Sequence, residues 1–247
     1  MPVPANRGAR LSPAQYEAFR VLRSNLTVSL ADLERPVVIV TSAYAGEGKT
    51  STAINLAKSM AAAGQRVVLV DADLRHPDAH RWLGVHNEHG LTDILLDRRA
   101  VDDALQYIDV GAGPAQGRRA LYLLAAGPSV ENPGELLGTK RTAALLDALA
   151  AQADVVLIDT PPVLQVADTL VIAHMAAGAL LVAETRRTPV AALQRTKDAL
   201  TRNQSRLLGI VINKFQARDA GDADAIFEYS YGYGDDGDAG AEAWSNE

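Results

Sequence analysis

The fold is decided by residues 43–50, AYAGEGKT, which lie between two runs of different periodicity. The preceding residues 37–40 form a short β-branched run, which is typical of a buried parallel strand. The following residues carry apolar side chains at helical spacing, and Gly64 is expected to end that helix. A strand, a tight glycine turn ending in Gly-Lys-Thr and a helix together predict a phosphate-binding loop.

The residue types in this turn suit a triphosphate. Backbone N–H groups at a helix N-terminus hold anionic oxygens, and glycines let the main chain approach them closely. We expect Lys49 to reach the β- and γ-phosphates of ATP and the Thr50 hydroxyl to ligate Mg²⁺. The alternative is a glycine turn without a ligand, since Ala43 replaces the first glycine of the general pattern. The predicted nucleotide-binding residues of the loop are Ala45, Gly46, Glu47, Gly48, Lys49, Thr50 and Ser51.

Three aspartates follow apolar runs further along the chain. Asp71 and Asp73 come after residues 66–70, and Asp159 ends the run 155–158 before a double-proline turn. Carboxyl ends of parallel strands meet at the ligand-binding edge of an open α/β sheet, although a strand-end aspartate can also be an ordinary turn residue. The predicted catalytic residues are Lys49, Asp71, Asp73 and Asp159, and the predicted metal ligands are Thr50, Asp71 and Asp159.

The chain alternates between strand-like and helix-like segments. This alternation predicts an α/β fold with one doubly wound, mostly parallel sheet. Short helices are expected at 91–96 and 101–107, a loop at 111–117, and a continuous helical stretch from 132 to 149. The remaining strands are expected at residues 121–125, 179–183 and 208–212. Asn213, just past the last strand, is a candidate for hydrogen bonding the adenine edge.

Composition excludes several classes of function. The net charge of −6 disfavours a nucleic-acid partner, which usually leaves a basic footprint. The absence of cysteine excludes disulfides and thiolate chemistry. The N-terminus lacks the basic-then-apolar pattern of a signal peptide, and the longest apolar stretch is too short to span a bilayer. We therefore expect a cytoplasmic protein whose membrane association depends on a partner.

The two ends of the chain differ from this core. After a flexible leader, Ser12 and Pro13 begin a helix that should run to about Ala31. Its Glu17, Arg20 and Arg23 lie three apart, which suits either a solvated face with weak ion pairs or a subunit contact. Beyond Phe215 the composition turns to Asp, Ala and Gly, which suits a disordered tail, a weak edge strand or a substrate segment. Three tyrosines stand close together in that tail: Tyr229, Tyr231 and Tyr233.

Together these motifs resemble the bacterial tyrosine kinases, the cytoplasmic autokinases of capsule and exopolysaccharide export. Residues 45–50 look like the Walker A motif of that family, 68–75 like its Walker A′ motif, and 155–159 with the following Thr-Pro-Pro like its Walker B motif. Residues 17–23 match its E-x2-R-x2-R arm, and residues 132–137, NPGELL, are also family-like. The resemblance covers nearly the whole chain.

The resemblance implies a P-loop NTPase fold of the deviant-Walker, MinD/ParA-like branch. It implies three regions: a leader and oligomerisation arm at 1–34, a kinase core at 35–215 and a flexible acidic, tyrosine-bearing tail at 216–247. It further implies ATP and Mg²⁺, a ring of subunits such as an octamer, a membrane adaptor of the polysaccharide co-polymerase type, and tyrosine-containing protein substrates. Asp71 and Asp73 would share metal binding and acceptance of the phenol proton. A deviant-Walker ATPase switch and a catalytically silent scaffold are the alternatives.

Overall fold

The computed structural model describes residues 11–31, 33, 36–110 and 120–215. Within these ranges seven strands form a single sheet in the order β3-β4-β2-β5-β1-β6-β7. Every neighbouring pair is parallel except β3 and β4. The strands are β1 (Val37–Ser42), β2 (Arg66–Asp71), β3 (Leu105–Ile108), β4 (Ala120–Leu124), β5 (Val155–Asp159), β6 (Gly178–Glu184) and β7 (Leu207–Asn213).

Nine helices connect or flank the strands in the described part of the chain. They are α1 (Pro13–Leu30), α2 (Lys49–Ala62), α3 (Ala79–Leu83), α4 (Leu91–Leu95), α5 (Val101–Ala104), α6 (Pro133–Leu137), α7 (Lys140–Gln152), α8 (Asp168–Ala173) and α9 (Val190–Arg202). The predicted α/β architecture with a doubly wound, mostly parallel sheet is confirmed.

The sheet separates two hydrophobic cores, because alternate residues of a strand point to opposite faces. In β1, Val37 and Ile39 belong to one core, and Val38 and Val40 belong to the other. The first core is completed by α7, α8 and α9, and the second by α1 and α2. Central strands covered on both faces have continuous apolar runs, which is the pattern that residues 37–40 show.

The first helix begins as the capping signals predict. Ser12 and Gln15 form a reciprocal capping box, with the Ser12 amide donating to Gln15 Oε1 at 2.9 Å and the Gln15 amide donating to Ser12 Oγ at 3.3 Å. Leu26 and Leu30 bury the apolar stripe of α1 against the second core. The helix runs to Leu30, in agreement with the predicted end.

Two predicted helical segments are wrong in extent. The segment 101–107 is helical only to Ala104, after which Leu105–Ile108 forms β3 antiparallel to β4. The rings of Tyr107 in β3 and Tyr122 in β4 pack edge to face with their centroids 5.8 Å apart, so cross-strand packing outweighs local helical spacing there. The stretch 132–149 is divided into α6 and α7 at Gly138, where the Thr139 hydroxyl donates to the Leu136 carbonyl at 3.0 Å.

The chain divides into two units, residues 1–213 and 214–247. The predicted leader, the loop at 111–117 and the tail beyond residue 215 lie outside the described residues. None of the helices in the described ranges is long and apolar enough to cross a lipid bilayer.

Replacement of a central core residue tests this packing. Leu157→Ala in β5 removes a fully buried side chain and should lower the free energy of unfolding by about 2–5 kcal/mol. Leu96→Ala, at a position exposed to 38%, should lower it by less than about 1 kcal/mol. Urea denaturation of both variants measures the difference, and equal losses would contradict the assigned core.

Candidate functional site

The phosphate-binding loop joins β1 to α2 and has two glycines in left-handed conformations. Gly46 has φ of 83° and Gly48 has φ of 95°, values that side-chain-bearing residues rarely adopt. A Cβ atom on Gly48 would lie 2.0 Å from Nδ2 of Asn213. Gly48 is therefore required both for the turn and for the close approach of β7.

Hydrogen bonds of Glu47 stabilise this loop. Its side chain is buried, with Oε2 accepting from the Tyr44 amide at 2.8 Å and Oε1 accepting from the Thr188 hydroxyl. Its main-chain carbonyl accepts from Asn213 Nδ2 at 2.9 Å. The Glu47 carboxylate is thus committed to internal hydrogen bonds, so a contact of this residue with a nucleotide would have to come from its main-chain N–H.

Thr188 links the loop to the segment between β6 and α9. Its hydroxyl also accepts from the Glu184 amide at 2.9 Å, while the Thr185 amide donates to the Asn213 carbonyl at 3.1 Å. The end of β7, the start of α9 and the phosphate loop are therefore held together by one hydrogen-bond network. The sequence gives no sign of this role for Thr188, because its partner Glu47 lies 141 positions away in the chain.

Lys49 lies among the predicted carboxylates. Its Nζ donates to Asp73 Oδ2 at 2.8 Å and lies 3.4 Å from the Thr50 hydroxyl. Burial by itself lowers the pKa of Lys49, but the charges of Asp159, Asp73 and Asp71 together outweigh burial and raise that pKa above its usual value. Lys49 is therefore a firmly charged ammonium at the N-terminus of α2.

Asp71 is the most enclosed of the three acids. Its Oδ1 accepts from the Asp73 amide at 3.3 Å and its Oδ2 accepts from the Ala79 amide at 3.1 Å. Burial and the neighbouring charge of Asp159 raise the pKa of Asp71 well above its usual range. Asp73 in turn accepts from the His76 amide at 3.1 Å, so both carboxylates also order the backbone after β2.

Asp159 is a buried carboxylate with unused acceptor capacity. Neither of its oxygens has a hydrogen-bond partner of normal geometry among the described residues, although the Thr50 hydroxyl is close enough to favour the ionised form. Burial raises the pKa of Asp159 to about 6, against the opposing attraction of Lys49. A divalent cation bound beside Asp159 would offset the cost of burying its charge, so the residues present fit Mg²⁺.

Protein side chains alone do not make a complete metal site here. The described residues contain no group of three or more His, Cys, Asp or Glu side chains arranged to hold a metal ion. Mg²⁺ usually retains waters and binds through one or two carboxylates together with substrate phosphates. The arrangement of Asp71 and Asp159 beside the phosphate loop therefore suits a metal that arrives with a nucleotide.

The structure brings the predicted loop residues, the three aspartates and Asn213 to one edge of the sheet. Ser51 donates through its hydroxyl to the Gly48 carbonyl at 2.9 Å, and Ala45 is exposed in the loop. Asn213 reaches the loop, but its amide donates to Glu47, and its contact with adenine stays a prediction. Tyr229, Tyr231 and Tyr233 lie outside the described residues.

The arm residues differ in their contacts. Glu17 accepts from Arg20 Nη1 at 2.9 Å on the exposed face of α1. Arg23 instead donates through Nη1 to the Ser59 carbonyl of α2 at 3.0 Å, within the same chain. Arg23 therefore fastens the arm to the core, and the subunit contact of all three residues stays a prediction.

Sequence reasoning also missed a charged pair at this edge. Arg75, which follows the two β2 carboxylates, donates through Nε and Nη2 to both oxygens of Asp168 in α8, at 2.7 and 3.0 Å. Arg75 was visible in the Walker A′ motif, but Asp168 lies 93 positions away and carries no local signal.

Comparison with known proteins gives consistent matches. A ParA family profile described as "NUBPL iron-transfer P-loop NTPase" matches residues 34–236. Tyrosine-protein kinase YwqD of Bacillus subtilis is 35% identical over 84% of this chain and 89% of its own length. The putative tyrosine-protein kinase CapB of Staphylococcus aureus is 30% identical over 89% of this chain and 90% of its own.

Solved structures agree with these matches. The kinase domain of Escherichia coli tyrosine kinase ETK superposes with a TM-score of 0.74 at 28% identity, covering 82% of this chain and 78% of that one. The chimerical protein CapA2B2 superposes with a TM-score of 0.74 at 30% identity, covering 83% and 86%. The Pyrococcus furiosus cell division ATPase MinD, at 23% identity and a TM-score of 0.60 over 77% of this chain and 79% of its own, shares the fold.

Removal of the Thr188 hydroxyl tests the Glu47 network. Thr188→Val leaves a buried Glu47 oxygen without its donor, a loss of about 1–3 kcal/mol, and should weaken ATP binding about tenfold by loosening the loop. Thr201→Val, at an exposed position of α9, should leave affinity unchanged. Isothermal titration calorimetry measures both, and an unchanged affinity in Thr188→Val would contradict a positioning role for the network.

The raised pKa of Asp159 predicts a pH-dependent instability of the protein without nucleotide and metal. A raised carboxyl pKa means that the folded state binds this proton more tightly than the unfolded state does. The penalty is therefore small below about pH 4 and is fully present once the pH has risen through about 6. Asp159→Asn should raise the free energy of unfolding by about 1–3 kcal/mol at pH 7.5 and by less at pH 5.

Urea denaturation at the two pH values measures this effect. Asp102→Asn, at an exposed position of α5, is the matched control and should change stability by less than about 0.5 kcal/mol at either pH. A loss of stability in Asp159→Asn at pH 7.5 would show that the Asp159 charge contributes favourably to the unliganded fold.

Proposed function

Because this chain belongs to the bacterial tyrosine kinases, we propose that it is an ATP-dependent autokinase that phosphorylates tail tyrosines of neighbouring copies. Its output would be control of the synthesis and export of capsular or extracellular polysaccharide. The proposed acceptors are Tyr229, Tyr231 and Tyr233.

One observation carries the proposal. Lys49 at the head of α2 lies 2.8 Å from Asp73, beside two further buried carboxylates from neighbouring strands. Phosphoryl transfer needs charge neutralisation and positioning more than covalent chemistry, and it needs an acceptor for the proton of the attacking group. A phosphate loop with a charged lysine and adjoining carboxylates supplies these components.

ATP binding would redistribute the contacts of Lys49. In the free protein its ammonium is paired with Asp73. The β- and γ-phosphates compete for the same ammonium, together with the main-chain N–H groups of residues 45–51. Lys49 would then hold the phosphates, and Asp73 would be released as a carboxylate that faces the incoming phenol.

The transfer itself follows from this arrangement. The phenol oxygen attacks the γ-phosphorus, the bond from that phosphorus to the β–γ bridging oxygen breaks, and ADP leaves. The phenol proton passes to a carboxylate, which is needed because a free phenol titrates near pH 10. Asp73 suits this role better than Asp71, since both Asp71 oxygens already accept main-chain N–H groups.

Thr50, Asp71 and Asp159 are the residues that would hold Mg²⁺, directly or through water. When bound, Mg²⁺ neutralises the phosphate charge. The unused acceptors of Asp159 support its inclusion in this set.

Oligomerisation would bring acceptor and active site together. Glu17 and Arg20 are partly exposed on α1, where a neighbouring subunit of a ring could contact them, while Arg23 fixes the arm to α2. About 15 residues separate Asn213 from Tyr229, and a flexible segment of that length reaches on the order of 20 Å on average and about 50 Å when stretched. That reach favours transfer between subunits.

The cellular setting is proposed from the same family membership. We infer a cytoplasmic protein held at the inner face of the cell membrane by an adaptor of the polysaccharide co-polymerase type. The chain would then act as three parts: an arm at 1–34, the kinase core at 35–215 and the acceptor tail at 216–247. Other tyrosine-containing proteins would be further substrates.

A mixing experiment tests both the chemistry and its direction. One protein carries Lys49→Met with an intact tail, and the other carries the triple tail Tyr→Phe change with an intact site. Incubation with ATP, Mg²⁺ and the cytoplasmic segment of the adaptor should phosphorylate the tail of the Lys49→Met chain by more than tenfold over that chain alone, because each variant supplies what the other lacks. Mass spectrometry of the tail peptides measures it.

The outcomes separate the alternatives. Phosphate on an unmixed, unsubstituted protein but none on the mixed Lys49→Met chain would show transfer within one subunit. ATP hydrolysis without any phosphotyrosine would indicate an ATPase switch. ATP binding without hydrolysis or phosphotyrosine would indicate a scaffold, and either result would overturn the proposed kinase function.

A further inference from the structure

We propose that Arg75 is a positioning residue for phosphoryl transfer, and that residues 132–138 hold its partner Asp168 in place. The inference rests on the proposed kinase function and adds a role for two features that the function leaves unused. These features are the NPGELL stretch and the buried carboxylate of α8.

Arg75 is held by a bidentate hydrogen-bonded ion pair with Asp168. Its Nε lies 2.7 Å from Oδ2 of Asp168 and its Nη2 lies 3.0 Å from Oδ1. The Asp168 side chain is 3% exposed, whereas the Arg75 side chain is 41% exposed. A planar guanidinium bound at two points has a fixed orientation, and a buried carboxylate gives it a rigid support.

Two glycines, Gly134 in α6 and Gly138 just after it, explain how Asp168 becomes buried. A Cβ atom on Gly134 would lie 3.0 Å from Oδ1 of Asp168, and one on Gly138 would lie 2.9 Å from Cγ1 of Val171. Both glycines therefore face α8, about one helical turn apart. Because neither has a side chain, α6 packs closely over the start of α8 and covers the carboxylate that binds Arg75.

Arg75 lies in the segment that carries the catalytic carboxylates. That segment leaves β2 at Asp71, and its first amide, from Ala72, donates to the Asp159 carbonyl of β5 at 2.8 Å. Further along, the Asp73 amide donates to Asp71 Oδ1 at 3.3 Å, and the His76 amide donates to the carboxylate and to the carbonyl of Asp73 at 3.1 and 3.2 Å. These later contacts bind the segment to itself. The Arg75–Asp168 pair instead fastens it to α8, a different element of the fold.

The consequence concerns Asp73. In the free protein Asp73 is held by Lys49, but the proposed mechanism turns Lys49 toward the phosphates. From then on the position of the Asp73 carboxylate depends on the backbone of its own segment, which Arg75 anchors two residues further on. A misplacement of about 1 Å in a catalytic group lowers the rate by up to a hundredfold, so this anchor should affect turnover more than binding.

The test is a set of steady-state measurements on a tyrosine peptide with the sequence of the tail, with the cytoplasmic segment of the adaptor present. Arg75→Lys keeps a positive charge but loses the bidentate contact, and Asp168→Asn keeps the shape but loses the charge. Each should lower kcat about 10–100-fold, with the KM for peptide and the Kd for ATP changed less than about threefold. The double variant should be no slower than the slower single variant, because both changes break one contact.

Gly134→Ala tests the support without touching either charge. Its methyl group should displace Asp168 and lower kcat in the same pattern, about 3–10-fold. Two matched controls should leave kcat unchanged. They are Gly209→Ala in β7, where the nearest atom to a new Cβ is 3.8 Å away, and Arg81→Lys, from an exposed arginine–aspartate pair with a separation of 3.5 Å.

Each outcome decides the matter. If the unsubstituted protein forms no phosphotyrosine, the proposed kinase function fails, independently of the Arg75 and Asp168 variants. If it does and Arg75→Lys retains its kcat, the positioning role is overturned. A raised peptide KM at constant kcat would make Arg75 a substrate-binding residue and overturn the proposal too. Should Asp168→Asn fail to fold, as thermal unfolding would show, Arg75→Lys and Gly134→Ala decide.

Discussion

The site depends on the burial of three carboxylates around one lysine. Asp71, Asp73 and Asp159 are almost entirely shielded from water, and Lys49 alone does not balance them. Burial and the charges of neighbouring aspartates raise the pKa of Asp71 and Asp159, so the ionised forms of both carboxyls are disfavoured in the unliganded protein. On the proposed function, a metal-bearing nucleotide would remove that penalty, and the same groups would then serve phosphoryl transfer.

The rest of the fold keeps these charges in place. Parallel β1, β2 and β5 lie side by side, so the phosphate loop and the aspartates at the ends of β2 and β5 meet at one edge. Glu47 fastens the loop to Thr188 and β7 from behind, while Arg75 fastens the segment after β2 to α8. Two hydrogen-bonded anchors thus restrain the phosphate loop and the segment after β2, which meet where Lys49 contacts Asp73.

Much of the fold could be predicted from local sequence patterns. The β-branched runs, the glycine turn and the Ser12 capping box have short-range causes, and the structure agrees with them. β3 was mistaken for helix because Tyr107 takes its conformation from pairing with β4. The orientation of Glu47 was equally inaccessible, since a loop glutamate beside phosphates looks like a ligand until its buried partner is known.

The sequence by itself determined the class of fold, the order of strands and helices apart from β3 and the break between α6 and α7, and which side chains would stand at the strand ends. These features follow from residue periodicity and turn chemistry, which act over a few residues. Only the tertiary structure decided which of those side chains face one another. The pairing of Glu47 with Thr188 and of Arg75 with Asp168 joins residues far apart in the chain. Such pairings depend on how loops and helices pack together over the sheet, and Gly134 and Gly138 act only through the packing of α6 against α8.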